Sequence, residues 1–178
     1  MNVLAFAASN SSKSINKTLV TYAGQLLTAN TGAQVEVIDL NDYEVAIYSI
    51  DREENGGIPD KVQELHGKIG AADALIISFA EHNGNLTVAY KNLADWMSRI
   101  DRHFYQNKPC ILLSTSPGGG GGRNALNLAL GSAPHIGMDV KASLIVPRFG
   151  SIFDKESGQM TDEETKAKLS KALKTLIN

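Results

Sequence analysis

Apolar positions along this chain fall into two kinds of pattern that alternate with each other. Residues 3–8 form an unbroken apolar run, which suits a strand covered on both faces and so predicts a parallel sheet. From Ile15 the spacing becomes helical, through Leu19, Val20, Ala23, Leu26 and Leu27, with Ser14 as cap and Gly32 just beyond the end. Residues 34–40 give a second strand. Residues 41–58 read as a polar connection with Asn55-Gly56-Gly57 as its turn signal, and Pro59 opens a short helix. Residues 74–79 make the third strand, and Leu86, Ala89, Leu93, Trp96, Met97 and Ile100 form the stripe of the next helix. Residues 110–114 are the fourth strand. A helix beginning near Asn124 carries Leu126, Leu128 and Leu130 before Gly131 and Pro134 break it, and residues 140–146 are the fifth strand. The last helix starts at the capping box Thr161-Asp162-Glu163-Glu164, which puts acids at the positive end of the dipole, and turns Leu169, Ala172, Leu173 and Leu176 to its core.

Five strands alternating with five helices predict a three-layer, doubly wound α/β fold, since crossovers of one hand place helices on both faces of a parallel sheet. The common five-stranded solution is the flavodoxin-like order 2-1-3-4-5. Winding there reverses between the first and third strands, leaving a crevice beyond their carboxyl ends where ligands bind. The 178 residues fit a single domain spanning 1–178.

Composition adds little to this picture and removes several classes from it. The chain is 43% hydrophobic and 20% charged with a net charge of -2, a balance that favours neither nucleic acid nor an anionic membrane as partner. The first residues lack the charged start and long apolar core of a secretory leader, and no run reaches membrane-spanning length, so a cytoplasmic location is expected. The single cysteine, Cys110, lies in the fourth strand and reads as an inert buried thiol. His66, His103 and His135 have no ligand spacing between them, and no metal is expected.

Three segments carry candidate chemistry, each directly after a strand. Ser9, Asn10, Ser11, Ser12, Ser14 and Asn16 surround the start of the first helix, where free N–H groups and the dipole favour an anion and small hydroxyls add donors. The same composition also suits a plain Ser/Asn cap. A nucleoside triphosphatase is disfavoured, because the Gly-x-x-x-x-Gly-Lys-Ser/Thr pattern is absent. Glu81, His82, Asn83, Gly84 and Asn85 form a polar loop, too long for a minimal connection, whose backbone and amides could grip a flat heterocycle. Ser116, Pro117, Gly118 and Gly119 open a glycine run that ends at Arg123. Apolar elements of one sheet flank that run, which argues for a ligand-edge loop rather than an interdomain linker.

The chain resembles the NADPH-dependent FMN reductase family of flavodoxin-like proteins, with quinone, azo and chromate reductases among its members. Residues 8–16 resemble the family's Gly-Ser-x-Arg-x-x-Ser-x-Asn phosphate loop. Glu81-His82-Asn83-Gly84, with Lys91-Asn92 and Asp95-Trp96 after it, resembles the Pro-Glu-Tyr-Asn-Gly segment and following helix, and Ser116-Pro117-Gly118-Gly119 the glycine-rich loop. The resemblance implies that Ser9, Ser11, Ser14, Ile15 and Asn16 surround the phosphate of FMN. It further implies that Glu81, His82, Asn83 and Gly84 line the ring, largely through backbone, with Ser116 to Gly119 along its other edge. Ser11 stands where the family has arginine, and Lys13 is the nearby candidate for the lost charge. His82 replaces the family's tyrosine and Ala80 its proline.

By spacing, Lys91, Asn92 and Asp95 are solvated surface, with Asp95 and Arg99 placed for an i,i+4 pair. The resemblance instead implies a helix at the interface of a homodimer or homotetramer. It also implies an NADPH- or NADH-dependent oxidoreductase passing electrons to a small-molecule acceptor, with the flavin rather than a side chain as the reacting group. An electron carrier and a flavin-free regulator remain open on the same scaffold.

Overall fold

In the computed structural model, which describes residues 1–177, a single parallel sheet organises the chain. The principal elements are β1 (Asn2–Ala8), α1 (Ile15–Thr31), β2 (Gln34–Ile38), α2 (Ile50–Gly56), α3 (Asp60–Ala71), β3 (Ala74–Phe79), β4 (Glu81–His82), β5 (Asn85–Leu86) and α4 (Val88–Met97). They continue with β6 (Lys108–Thr115), α5 (Arg123–Ser132), β7 (Met138–Val146), α6 (Phe149–Ile152), β8 (Phe153–Asp154), β9 (Gln159–Met160) and α7 (Glu163–Lys174). The five long strands pair in parallel in the order β2-β1-β3-β6-β7, the expected doubly wound arrangement.

Alternation along each strand feeds two cores. On β1, Val3 and Ala5 face α1 and α7 together with Leu19, Val20, Leu169 and Leu173, while Leu4 and Phe6 face α3, α4 and α5 with Leu65, Trp96 and Leu126. β3 is buried along its whole length, which is why its sequence is a continuous apolar run with one serine. α1 begins and ends where its sequence signals lie. The Ser14 hydroxyl accepts from the Lys17 N–H, and Gly32 closes the helix at φ 74° with its N–H on the Thr28 carbonyl.

Several expectations are corrected. β2 stops at Ile38, because the Asp39 carboxylate accepts from the Asn41 N–H and starts a 3-10 turn over Leu40–Tyr43. The stretch 41–58, expected to be a loop, contains α2, which buries no residue of its own and so shows no apolar periodicity. α4 omits Leu86 and Ile100 from its ends, and α5 runs through Gly131 to Ser132. α7 is capped by Asp162, whose carboxylate accepts from the Thr165 N–H, one residue later than the expected Thr161 cap. Arg99 pairs with Glu53 and Asp95 with Lys91, in place of the Asp95–Arg99 pair.

Candidate functional site

The loops after β1, β3 and β6 emerge side by side at the carboxyl edge of the sheet, since these strands are neighbours and parallel. Each loop is folded by local polar bonds. After β1, the Ser9 hydroxyl accepts from the Ser11 N–H, the Ser11 hydroxyl from the Lys13 N–H and the Ser11 carbonyl from the Ser14 N–H. Ser9 and Ser14 are buried, Ser11 is exposed and Ile15 half-buried. The N–H groups of Ser12, Ile15 and Asn16 have no partner among the described residues. A helix N-terminus that leaves donors free, with hydroxyls around it, fits a phosphate group.

Asn16 lies differently from the residues around it. Its side chain, 3% exposed, points into the protein. Oδ1 accepts from the Ser78 hydroxyl at 2.8 Å and the Thr115 N–H at 3.0 Å, and Nδ2 donates to the Thr115 carbonyl at 3.1 Å. One amide thereby fastens α1 to the ends of β3 and β6. Thr87 makes a second such tie: its hydroxyl donates to the Ala8 carbonyl at 2.9 Å and accepts from the Tyr90 N–H, joining the end of β1 to the start of α4.

The segment after β3 is a hairpin rather than an open loop. β4 and β5 pair antiparallel about Asn83 and Gly84, whose φ values of 54° and 71° are those of a two-residue turn with both central residues left-handed. His82, Asn83 and Gly84 are exposed and Glu81 is half-buried. His82 rims a cleft of about 240 Å³ with Asn10, Tyr43, Ile47 and Val88.

After β6, Ser116 is half-buried and Pro117, Gly118 and Gly119 are exposed. The carbonyls of Ser116 and Gly118 accept from the N–H groups of Phe149 and Arg148, so the run is fixed to the start of α6. Gly122 meets a close approach: a Cβ there would lie 3.1 Å from that of Ser114, on a backbone with φ 78°.

Charge near the first loop is unevenly committed. Lys17 pairs with Asp39. Lys13 makes no ion pair among the described residues and lines a cleft of about 590 Å³ with Ser12, Ser14, Ile15, Tyr22 and Lys155. Asn92, expected on a solvated face, instead accepts from the Tyr48 N–H at 2.8 Å and donates to the Val45 and Ala46 carbonyls. Burial, with Asp139 adding to it, pushes the Cys110 thiol up to about 12, as suits an inert core residue.

The sequence drew attention to the site's serines, glycines and Asn16, and to Thr115 as part of the third segment, but missed Ser78, Thr87 and Arg148. Those three hold the loops in place through partners distant in the chain, and no local motif marks them.

A doubly wound sheet of this order with its loops gathered at the switch point is a flavodoxin-like α/β scaffold. The family model of the NADPH-dependent FMN reductases matches residues 1–148, and the chain belongs to that family. It is an oxidoreductase, and membership implies FMN and NAD(P)H as cofactors. An NADPH:quinone oxidoreductase of Arabidopsis thaliana is 32% identical over 148 residues, 82% of this chain and 74% of that protein. Among solved structures, the flavoenzyme NAD(P)H:(acceptor) oxidoreductase FerB of Paracoccus denitrificans superposes with a TM-score of 0.78 at 22% identity, covering 99% of this chain and 94% of that one. A flavodoxin variant of Pseudomonas aeruginosa gives 0.60 at 13% identity, with both chains fully covered. Among the described residues no helix is long and apolar enough to cross a membrane.

Proposed function

We propose that this protein is an FMN-dependent NAD(P)H oxidoreductase that works by a ping-pong cycle and reduces a quinone, an azo or nitro compound, or free flavin. The observation that carries the reading is the set of unpartnered N–H groups at Ser12, Ile15 and Asn16, placed at the switch point beside two loops suited to a flat ring. FMN would supply the redox chemistry, taking a hydride from the nicotinamide and passing two electrons to the acceptor.

The protein's part is to bind and orient. Ser9, Ser11, Ser14 and Ile15 would surround the phosphate, Asn16 would contribute its N–H, and Lys13 would supply the positive charge that Ser11 lacks. The Glu81–Gly84 hairpin would line one side of the ring and Ser116, Pro117, Gly118 and Gly119 the other. Backbone N–H groups there would stabilise negative charge gained on reduction. His82, on the rim of the cleft with Ile47 and Val88, borders the approach of the acceptor.

The test is a visible spectrum of the protein mixed with FMN, followed by anaerobic NADPH. Bound flavin bands that bleach support the reading, whereas FMN-loaded protein that does not oxidise NADPH with menadione removes the enzyme activity. Ser14→Asp keeps a capping side chain but sets a carboxylate where the phosphate belongs, and is expected to abolish FMN binding with folding intact. The exposed Ile47 and Val88 support a homodimer or homotetramer, which sedimentation velocity measures.

A further inference from the structure

Glu81 caps a helix that is not its own. Its carboxylate accepts from the Asn124 N–H at 2.8 Å, the Ala125 N–H at 3.3 Å and the Asn124 side-chain amide at 3.3 Å, all in the first turn of α5. The residue in that helix's own cap position is Gly122, which has no side chain to offer. Glu81 therefore supplies both the missing acceptor and a negative charge at the positive end of the dipole.

The bond spans the two loops on either side of the proposed ring position. Glu81 belongs to β4, while α5 begins where the glycine run ends. Asn124 also stands close to the hairpin turn, since a Cβ on Gly84 would lie 3.7 Å from its Nδ2. The hairpin is not rigid by itself. β4 and β5 are two residues each, too short to hold a fixed position unaided, whereas the glycine run is already fixed to α6 through the Ser116 and Gly118 carbonyls. The spacing between hairpin and glycine run is thus held across a few polar bonds, of which those of Glu81 are charge-assisted. The same carboxylate fills the anion position at α5, while the corresponding position at α1 keeps its free donors, so a phosphate is directed to α1.

We propose that Glu81 is a positioning residue that sets the width of the ring slot between the hairpin and the glycine-rich loop. The proposal rests on the FMN reading. FMN and riboflavin are titrated by fluorescence quenching against the apo forms of the wild type, Glu81→Gln, Glu81→Ala and Asp162→Ala. The last removes the cap of α7, a comparable loss away from the three loops.

Glu81→Ala is expected to weaken FMN and riboflavin by the same factor, about tenfold, because riboflavin has the ring without the phosphate. Glu81→Gln, whose amide oxygen still accepts, is expected within about threefold of the wild type. Asp162→Ala should lower the thermal midpoint and leave both affinities unchanged. Should the alanine variant not fold, Glu81→Asp, one methylene too short to reach α5, carries the same expectation. Affinities of Glu81→Ala or Glu81→Asp equal to wild type, or a loss matched by Asp162→Ala, would overturn the proposal while FMN binding stands. A wild type that does not bind FMN removes the FMN reading itself.

Discussion

Asn16→Ala deletes three hydrogen bonds from a nearly inaccessible position and leaves the Ser78 hydroxyl and the Thr115 amide and carbonyl without their partner. The expected loss of stability is about 2–4 kcal/mol, read from urea unfolding. Asn16→Asp is expected to cost at least as much, since a carboxylate cannot donate to the Thr115 carbonyl and would be buried with its charge unpaired. Both outcomes separate Asn16 from its neighbours Ser11 and Ser12, which are exposed and whose removal should barely change stability. The residue type at position 16 is visible in the sequence as part of a polar helix start. Its role is not, because the partners sit at positions 78 and 115 and only pairing of β1, β3 and β6 brings them within reach.

At the scale of elements, the legible parts were those that bury a face or end on a backbone signal. β3 and α1 are of this kind: one is buried throughout, and the other runs from Ser14 to Gly32 as its caps indicate. α2 was missed because it presents no apolar stripe. It is held instead from outside, by Glu53 accepting from the Arg99 guanidinium and the Tyr48 hydroxyl. The hairpin at Asn83-Gly84 was missed for a related reason, since arms of two residues are too short for alternation to register even though Asn-Gly is a strong turn pair. Gly84→Ala tests that turn. With φ at 71° and only the Asn124 amide nearby, the cost is conformational, about 1 kcal/mol, and should appear as a lower urea midpoint with an unchanged m value.

For the whole molecule, three carboxylates are held more acidic in the folded state than their ordinary value. Burial works against ionisation of Asp39, but its bonds to Lys17 and Asn41 outweigh it and leave the pKa below 3.8. The Ser157 hydroxyl and the Glu156 N–H lower Asp154, and Thr165 lowers Asp162. A depressed folded pKa means that the unfolded chain binds protons first. The stabilisation is therefore present in full above about pH 4 and is lost as the pH falls through the depressed values. Unfolding free energy measured against pH should decline in that acid range, and Asp39→Asn should flatten part of the decline. A profile in which that variant is as steep as the wild type would remove Asp39 from the account. Asp39 and Lys17 also tie the end of β2 to α1, so acid is expected to loosen the edge of the sheet nearest the first loop.

The ties of Asn16 also have an order in time. On the ribosome, residues 9–16 emerge early, but Ser78 follows much later and Thr115 later still. A nascent chain released short of β6 has the serines and the helix start without the clamp that fixes them, so cofactor uptake should begin only once β6 and the glycine run after it have left the ribosome. Flavin capture by stalled chains of increasing length would then act as a clock for the entry of β6 into the central sheet.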